Sequence, residues 1–252
     1  MSSRTTSLKI LQLSDAHLSA DCAADYRGQN AEQNLERLIP RAKGWKPDCL
    51  LLTGDISEDA SPASYQRIAA RLKCLSVPVL ALPGNHDDPD EMRKHFPQGP
   101  WRGPLAYEAG PWLLILMDST TRGSISGSIS QQALDQMDLL VERSSAKHVL
   151  LGLHHQPVSV NAPWIDRYGL RDSERLFERL DRTDRLRCIV WGHVHHDFQS
   201  TRKGVLLLGA PSTVANSLPG TERFSLDPAG PACRWLKLGA HGSVATGILR
   251  RS

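Results

Sequence analysis

The sequence predicts an α/β fold, and two regularities carry that prediction. Short apolar runs bounded by polar, glycine or proline residues alternate with segments whose apolar residues recur at helical spacing. Nearly every one of these apolar runs leads into a cluster of aspartate, asparagine or histidine. Alternation of strands and helices is typical of a sheet whose strands are largely parallel.

The predicted strands of this core are short and apolar, as buried strands are. We expect them at Leu8–Leu13, Cys49–Thr53, Pro78–Leu82, Trp112–Met117, Val149–Leu153 and Cys188–Trp191. We expect helices at Gln29–Ala42, Ser61–Leu75, Gln131–Arg143 and Ser173–Leu180. Ser61 before Pro62 is a good helix start, because the hydroxyl caps the first turn and proline needs no N–H partner there.

The end of the chain has a different pattern. Gly204–Leu208, Arg234–Leu238 and Ser243–Leu249 are predicted strands joined by tight turns, the last two across Gly239–Gly242. We therefore expect a second, more antiparallel sheet packed on the first. Since no linker-like stretch divides the chain, we predict a single domain over residues 1–252, with a core at about 8–200 and a β-rich part at about 201–252.

Composition and charge are ordinary for a globular protein and argue against membrane-spanning and nucleic-acid-binding proteins. Hydrophobic residues make up 40% and charged residues 23% of the 252, and no apolar run is long enough to span a bilayer. A formal net charge of +3, with both signs interspersed, is too weak to indicate nucleic-acid binding. Residues 1–15 hold no separate apolar stretch with a cleavage site, so we expect a cytoplasmic location.

The cysteines are scattered and odd in number, without C-x-x-C spacing. The five are Cys22, Cys49, Cys74, Cys188 and Cys233. Neither a disulfide framework nor a cysteine zinc site is expected from them. We interpret all five as free thiols.

Five polar clusters follow predicted strands, and these clusters are the chemically informative part of the sequence. They are Asp15–His17, Gly54–Asp55, Gly84–Asp87, His154–Pro157 and Gly192–His195. With the adjacent His196 they contain seven of the ten histidines. Because ligands bind at the carboxyl ends of strands in open α/β sheets, we expect the clusters to converge.

The side chains of these clusters are suited to binding metal ions. Aspartate, histidine and a carboxamide oxygen, without cysteine, favour divalent or trivalent Mn, Fe, Zn or Co. The plausible ligands are too many for one ion and suit two ions that share a carboxylate, as in displacement at phosphorus. Bound metal lowers the pKa of water towards about 7, which supplies hydroxide as nucleophile. No nucleophile elbow, phosphate loop or dinucleotide fingerprint offers a competing chemistry.

The five clusters, read in order as D-x-H, GD, GNHD, HH-x-P and GHxH, resemble the signature of the calcineurin-like metallophosphoesterase superfamily. The resemblance implies a four-layer α/β/β/α sandwich, in which two packed mixed β-sheets are flanked by helices. It implies two metal ions, Fe and/or Mn above all, with Zn or Co as further possibilities.

The resemblance also implies a role for each cluster residue. One metal ion would be bound by Asp15, His17 and His195, the other by Asn85, His154 and His193, and Asp55 would bridge them. His86 would stabilise the transition state and protonate the leaving alkoxide. The substrate phosphate would contact His17, Asp55, Asn85, His86 and His195.

Three further residues of these clusters are not expected to bind metal. His155 and His196 are expected around the ligands or exposed to solvent. Asp87 is expected to orient His86 or to cap a turn.

A closer resemblance, to the bacterial class III cyclic nucleotide phosphodiesterases, rests on segments outside the clusters. These segments are Ala162–Asp166, Gly169–Asp172, Ala210–Thr213, Phe224–Asp227 and Pro231–Leu236. The resemblance implies that metal-bound hydroxide hydrolyses 3′,5′-cyclic AMP, or a related cyclic nucleotide, to the 5′-nucleotide. The partner would be a small-molecule nucleotide, with neither nucleic acid nor a membrane expected, and the sequence does not indicate the oligomeric state.

Other functions stay open at this point. A broad-specificity phosphodiesterase would act on 2′,3′-cyclic nucleotides, glycerophosphodiesters or other small diesters with the same metal site. A non-catalytic scaffold on this fold would lack some ligands, and none is missing. A nuclease would show a basic strip or an appended domain, which the sequence lacks.

Overall fold

The computed structural model describes residues 7–250, which form two mixed β-sheets and six α-helices. The main strands are β1 Leu8–Leu13, β4 Cys49–Thr53, β5 Val79–Leu82, β6 Leu105–Ala109, β7 Trp112–Leu116, β8 His148–Gly152, β9 Leu186–Trp191, β10 Phe198–Arg202, β11 Val205–Gly209, β12 Ala232–Leu238 and β13 Val244–Arg250. A small hairpin pairs β2 Asp25–Tyr26 with β3 Gln29–Asn30. The helices are α1 Ala31–Trp45, α2 Pro62–Leu72, α3 Pro89–His95, α4 Gln131–Arg143, α5 Pro163–Asp166 and α6 Ser173–Leu180.

Each large sheet combines parallel and antiparallel strands. The five-stranded sheet has the order β13-β12-β1-β4-β5, in which β1, β4 and β5 are parallel. The six-stranded sheet has the order β10-β11-β9-β8-β7-β6, in which β11, β9, β8 and β7 are parallel. Helices connect β1 to β4, β4 to β5, β7 to β8 and β8 to β9, as the alternating pattern of the sequence predicts, whereas β11 follows β9 through strand β10.

Three apolar cores separate four layers. One core lies between the sheets and includes Ile10, Leu51, Leu114 and Val190. A second packs the five-stranded sheet against α1 and α2, and a third packs the six-stranded sheet against α4 and α6. Successive residues of a strand point to opposite faces, so a strand with helices on one side and a sheet on the other is apolar throughout. The fold is the expected α/β/β/α sandwich.

The expectation that the tail forms a second, more antiparallel sheet is wrong. Strands β12 and β13 join the first sheet, where β12 pairs antiparallel with β1. Strand β11 joins the other sheet and pairs parallel with β9. The parallel core itself divides after β5, so each sheet receives part of the tail. Tight turns indicate that neighbouring strands pair, but not which earlier strand they join.

Several elements were not predicted from the sequence. The edge strands β6 and β10 alternate between half-buried and exposed residues and contain Tyr107, Glu108 and Gln199, so they are less apolar than the core strands. Helices α3 and α5 are short, with only Met92 and Ile165 buried. The first predicted helix begins later than expected, at Ala31, because the Asn30 side chain caps it by accepting from the Gln33 N–H.

Within residues 7–250, no helix combines the length and apolar character that crossing a bilayer requires. The segment expected to hold no export signal, residues 1–15, lies partly outside the described residues, which begin at residue 7.

Candidate metal centre

The loops that follow β1, β4, β5, β8 and β9 meet at one end of the sandwich. The backbone N–H of Asp15 donates to Gly54 O at 3.0 Å, which joins the loops after β1 and β4. The N–H of His193 donates to the Asp15 carboxylate at 3.0 Å and thereby links the two sheets. The predicted clusters therefore converge, but from the strand ends of two sheets rather than of one open sheet.

The backbone at these strand ends adopts an uncommon conformation. Five of the predicted metal ligands have positive φ angles, namely Asp15 (52°), His17 (43°), Asp55 (50°), His193 (69°) and His195 (51°). The left-handed region is unfavourable for residues with a Cβ, and such strain concentrates at functional sites. The strained turns aim successive side chains of D-x-H and GHxH into the same space.

Two glycines permit these turns to pack. A Cβ added at Gly84 would lie 2.2 Å from Asp55 Oδ1, and one added at Gly192 would lie 2.1 Å from Ser14 Oγ. No other residue type fits at such distances, since real Cβ contacts are longer. The glycines before Asn85 and His193 therefore allow backbone to approach the site.

The first group of side chains comprises Asp15, His17 and His195, all buried. His17 Nε2 lies 3.2 Å from His195 Nε2, which lies 3.4 Å from Asp15 Oδ1. The other ring nitrogens are held from behind: His195 Nδ1 donates to Ala215 O at 2.8 Å, and His17 Nδ1 donates to Glu58 Oε2 at 2.7 Å. Both Nε2 atoms are thereby directed towards the centre of the group.

The second group comprises Asn85, His154 and His193. His154 Nε2 lies 3.2 Å from both Asn85 Oδ1 and His193 Nδ1. Because His154 Nδ1 donates to Thr53 O at 2.7 Å, Nε2 is the ring nitrogen that is left to hold a proton or a metal ion. The carboxamide oxygen faces this nitrogen, so the pair suits a shared cation.

Asp55 lies between the two groups and is 2% exposed. Its Oδ2 is 3.4 Å from His154 Nε2 and 3.8 Å from His17 Nε2. Its Oδ1 accepts the backbone N–H of His86 at 2.9 Å. One carboxylate oxygen therefore reaches both groups, as a bridging ligand must.

The electrostatics of the site favour bound cations. Burial alone would raise the pKa of Asp55, but His154 and His17 outweigh it and hold the pKa well below its ordinary value. Burial and the charge of His154 lower the pKa of His193 well below its ordinary value. Against the effect of burial, Asp55 raises the pKa of His154 to about 9, because the carboxylate favours positive charge at this point. Ionised carboxylates beside a neutral imidazole fit the metals that prefer nitrogen and oxygen ligands.

His86 stands beside these groups and is about one-third exposed, at 36% of its side chain. Glu58, which sequence reasoning missed, lies 3.1 Å from His86 Nδ1 and also binds His17. Burial opposes both shifts, yet this pairing lowers the pKa of Glu58 to about 2 and raises that of His86 to about 9. The only sign of Glu58 in the sequence is that an acidic residue follows Asp55 by three positions.

The remaining cluster residues support the loops. Both ring nitrogens of the buried His155 are engaged, by Ser119 Oγ at 2.8 Å and Ile125 O at 3.0 Å. His196 is buried too, and its Nδ1 donates to Val194 O. Asp87 accepts the backbone N–H groups of Gly84, Ile56 and Ser57, so it caps a turn and does not contact His86 through a hydrogen bond.

A large cavity lies elsewhere on the molecule. Its volume is about 1140 Å³, and its lining includes Leu8, Asp48 and Pro111, at the amino ends of the strands. None of the predicted ligands lines it. Convergent polar groups, and not cavity size, identify the site.

A sequence profile of the calcineurin-like phosphoesterase family matches residues 8–197, which is most of the chain and includes all five clusters. The chain belongs to this family. As a calcineurin-like phosphoesterase it is a metal-dependent hydrolase, in agreement with the convergence of its aspartate and histidine side chains.

Relatives of this calcineurin-like phosphoesterase match over nearly their full length. The 3′,5′-cyclic adenosine monophosphate phosphodiesterase CpdA of Pseudomonas aeruginosa is 34% identical over 97% of this chain and 90% of its own. A 3′,5′-cyclic-nucleotide phosphodiesterase of Nostoc is 33% identical over 96% and 92%. A dimetal phosphatase from Danio rerio has the same fold, with a TM-score of 0.69 at 17% identity over 97% of this chain and 99% of its own.

Proposed function

We propose that this chain is a phosphodiesterase that hydrolyses 3′,5′-cyclic AMP, or a related cyclic nucleotide, to the 5′-nucleotide. The position of Asp55 between two groups of proposed ligands, all buried except the half-buried Asn85, is the observation that carries the proposal. Two ions that share a carboxylate suit displacement at a phosphodiester. The choice of substrate is supported by relatives whose names specify cyclic nucleotides and which match nearly the whole chain.

The proposed ligands follow the two groups. Asp15, His17 and His195 would hold one ion, Asn85, His154 and His193 the other, and Asp55 would bridge them. When bound, the two ions supply charge that polarises the phosphate and lowers the pKa of water. Iron and/or manganese is proposed, with zinc or cobalt as the other metals that this ligand chemistry accepts.

The chain's own residues would position the phosphate and the proton. The residues that would contact the phosphate are His17, Asp55, Asn85, His86 and His195, which lie in or beside the two groups. Glu58 binds His86 at Nδ1, so Nε2 is the atom of His86 that is left to contact the phosphate or the leaving 3′ oxygen. In this position His86 would donate the proton that the leaving alkoxide needs.

The substrate proposal is tested with purified, manganese-loaded protein. We expect release of nitrophenol from bis(p-nitrophenyl) phosphate and a preference for 3′,5′-cyclic AMP over 2′,3′-cyclic AMP and glycerophosphocholine at equal concentration. Equal rates on the three natural diesters would favour the broad-specificity phosphodiesterase instead. Inactivity on every diester with Mn, Fe, Zn and Co would refute the enzyme and favour a scaffold.

Replacement of the proposed bridging ligand tests the site itself. Asp55→Ala should lose both ions, and with them turnover, because one oxygen serves both groups. Asp135→Ala, which removes a surface aspartate paired with Arg179, is the matched control and should retain both. Metal content by mass spectrometry and turnover are measured together. Two retained ions in Asp55→Ala would contradict the bridge.

The cytoplasmic location and the absence of nucleic-acid and membrane partners stay predictions from the sequence. Fractionation of the source cells, followed by immunodetection of the chain, would test the location.

A further inference from the structure

Three aromatic side chains stand around the first group of proposed ligands. The ring centroids of Tyr26, Trp164 and Phe224 each lie 6.2 Å from that of His195. Tyr26 also stacks on His17, with centroids 4.1 Å apart and planes inclined by 13°. Trp164 and Phe224 are nearly perpendicular, at 5.4 Å and 84°. We call these three residues, together with Arg27, the aromatic cluster.

The aromatic cluster is assembled from three distant parts of the chain. Tyr26 lies in the β2–β3 hairpin, Trp164 in α5, and Phe224 in the loop between β11 and β12. Trp164 packs against the core outside the six-stranded sheet, whereas Tyr26 and Phe224 pack against the core outside the five-stranded sheet. The cluster therefore spans the junction of the two halves, beside the proposed metal ligands.

The loops that carry these rings are held in place. The carboxylate of Asp166 accepts the N–H groups of Val160 and Ala162 at 2.8 and 3.0 Å, which fixes the approach to Trp164. The N–H of Ser217 donates to His195 O at 2.8 Å, which ties the Phe224 loop to the GHxH turn. The rings are thus presented in fixed positions relative to His195.

An aromatic cluster is ordinarily part of a core, but three observations distinguish this one. All three rings are only half-buried. The exposed Arg27 lies among them, with its guanidinium carbon 4.2 Å from the Phe224 centroid and 5.9 Å from that of Trp164. Trp164 Nε1 is a buried donor that has no hydrogen-bond partner among the described residues. A buried donor without an acceptor is unfavourable, so the site favours a ligand that brings one.

We propose that the aromatic cluster binds the nucleobase of the substrate. This inference rests on the proposed function, since it assigns the part of the nucleotide that the metal ions do not hold. Aromatic faces stack on bases, and an arginine adds a cation over the ring and donors for base acceptors. The Tyr26 hydroxyl lies 3.1 Å from His17 Nε2, so the cluster is continuous with the metal ligands. A single ribose can connect a base bound by the aromatic cluster to a phosphate bound at the proposed metal ligands.

The cluster would therefore determine specificity for nucleotides over simple diesters. The metal ligands would contact the phosphate, which all diesters share, whereas the rings and Arg27 would contact the base. Loss of a ring should weaken nucleotide binding and leave phosphate binding unchanged.

Competitive inhibition separates the two contributions. In Trp164→Ala and Phe224→Ala, inhibition of bis(p-nitrophenyl) phosphate hydrolysis by 5′-AMP should weaken about 10-fold or more. Inhibition by inorganic phosphate should change less than about twofold, because phosphate needs only the metal ligands. Trp164→Phe, which keeps a ring, should restore most of the 5′-AMP affinity. Tyr168→Ala, a half-buried aromatic residue in the same segment but outside the cluster, should behave as the unmodified protein.

A binding measurement that does not depend on turnover completes the test. Adenosine, which has no phosphate, should quench part of the tryptophan fluorescence of the unmodified protein. In Trp164→Phe this quenching should disappear, although five of the six tryptophans remain. Arg27→Ala, a change at an exposed residue, should weaken the quenching without disturbing the fold.

The two proposals fail in different ways. If the unmodified protein cleaves no diester, the proposed function is refuted. If it is active but the ring variants weaken 5′-AMP and phosphate equally, or adenosine causes no Trp164-dependent quenching, the nucleobase site alone is refuted.

Discussion

At the scale of single residues, the site depends on how the chain holds the far side of each imidazole. His17, His154 and His195 each use Nδ1 to donate to Glu58, Thr53 O and Ala215 O, respectively. A fixed hydrogen bond behind a histidine selects the tautomer and orients the nitrogen that binds metal. The groups that accept these Nδ1 hydrogen bonds therefore help to position the proposed ligands.

His86 should affect turnover without affecting the metal content. It lies beside the ligand groups and contacts Glu58, not the nitrogen and oxygen atoms that face each other in them. His86→Ala should lower kcat by about 100- to 10,000-fold, the usual contribution of a general acid, while both ions stay bound. His95→Ala, at a histidine paired with Glu91, is the control. Loss of an ion from His86→Ala would show that it is a ligand instead.

Glu58 should affect metal affinity because it binds His17 from behind. Glu58→Gln keeps an acceptor for His17 but removes the carboxylate charge, so we expect metal affinity to fall about 10- to 100-fold. Titration of metal-free protein with manganese measures this. The adjacent Asp59→Asn is a suitable control, since Asp59 accepts from Ala20, Ser57 and Ser61 and not from a proposed ligand. Equal affinities in the two variants would mean that Glu58 does not support His17.

At the scale of elements, the two sheets are joined by a buried arginine as well as by their apolar faces. Arg234 of β12 is 1% exposed, and its guanidinium pairs with Asp197 and donates to Gly209 O at 2.9 Å, at the end of β11. A strand of the five-stranded sheet thus reaches the end of β11 in the other sheet. Asp197 lies two residues after His195 of the GHxH turn, so this contact also supports the site.

Removal of this arginine should destabilise the fold. Arg234→Met leaves the buried acceptor Gly209 O without its donor, and we expect a loss of about 1–3 kcal/mol in the free energy of unfolding, whereas the exposed Asp197 can be solvated by water. Arg202→Met removes an arginine of β10 that pairs with Asp181 at the surface and should cost about 0–1 kcal/mol. Urea unfolding compares the two. Equal, small losses would show that the Arg234 contacts add no stability.

At the scale of the whole molecule, the proposed ligands connect the two halves of the sandwich. Asp15, Asp55 and Asn85 follow strands of the five-stranded sheet, whereas His154 and His193 follow strands of the six-stranded sheet. Metal ions bound between them would cross-link the sheets. Binding to the folded state alone stabilises it by linkage.

Metal should therefore raise the melting temperature. At about 100 times the dissociation constant the gain is about 2.7 kcal/mol, which corresponds to roughly 5–10 °C for a domain of this size. Calorimetry of chelator-treated and manganese-loaded protein measures the difference, and Asp55→Ala should abolish it. The idea fails if manganese leaves the melting temperature of the unmodified protein unchanged.

Much of the fold and of the proposed site can be predicted from the sequence, because the features that indicate them are local. Strands such as Leu8–Leu13 and Cys49–Thr53 have the predicted bounds, since an apolar run between polar residues is a property of neighbours in the chain. The same is true of D-x-H and GHxH, in which the ligands are two residues apart. The family and the proposed ligands therefore follow from short patterns and their order.

Only the tertiary structure decided which distant segments meet. It placed β12 beside β1 and β11 beside β9, against the expected separate sheet, because pairing depends on long-range packing that turn patterns do not encode. It brought Glu58 to His17 and His86, and the rings of Tyr26, Trp164 and Phe224 around His195. Glu58 and Tyr26 belong to no motif, and Trp164 and Phe224 lie in segments to which the sequence assigned no role. The role of all four arises from proximity that only the fold creates.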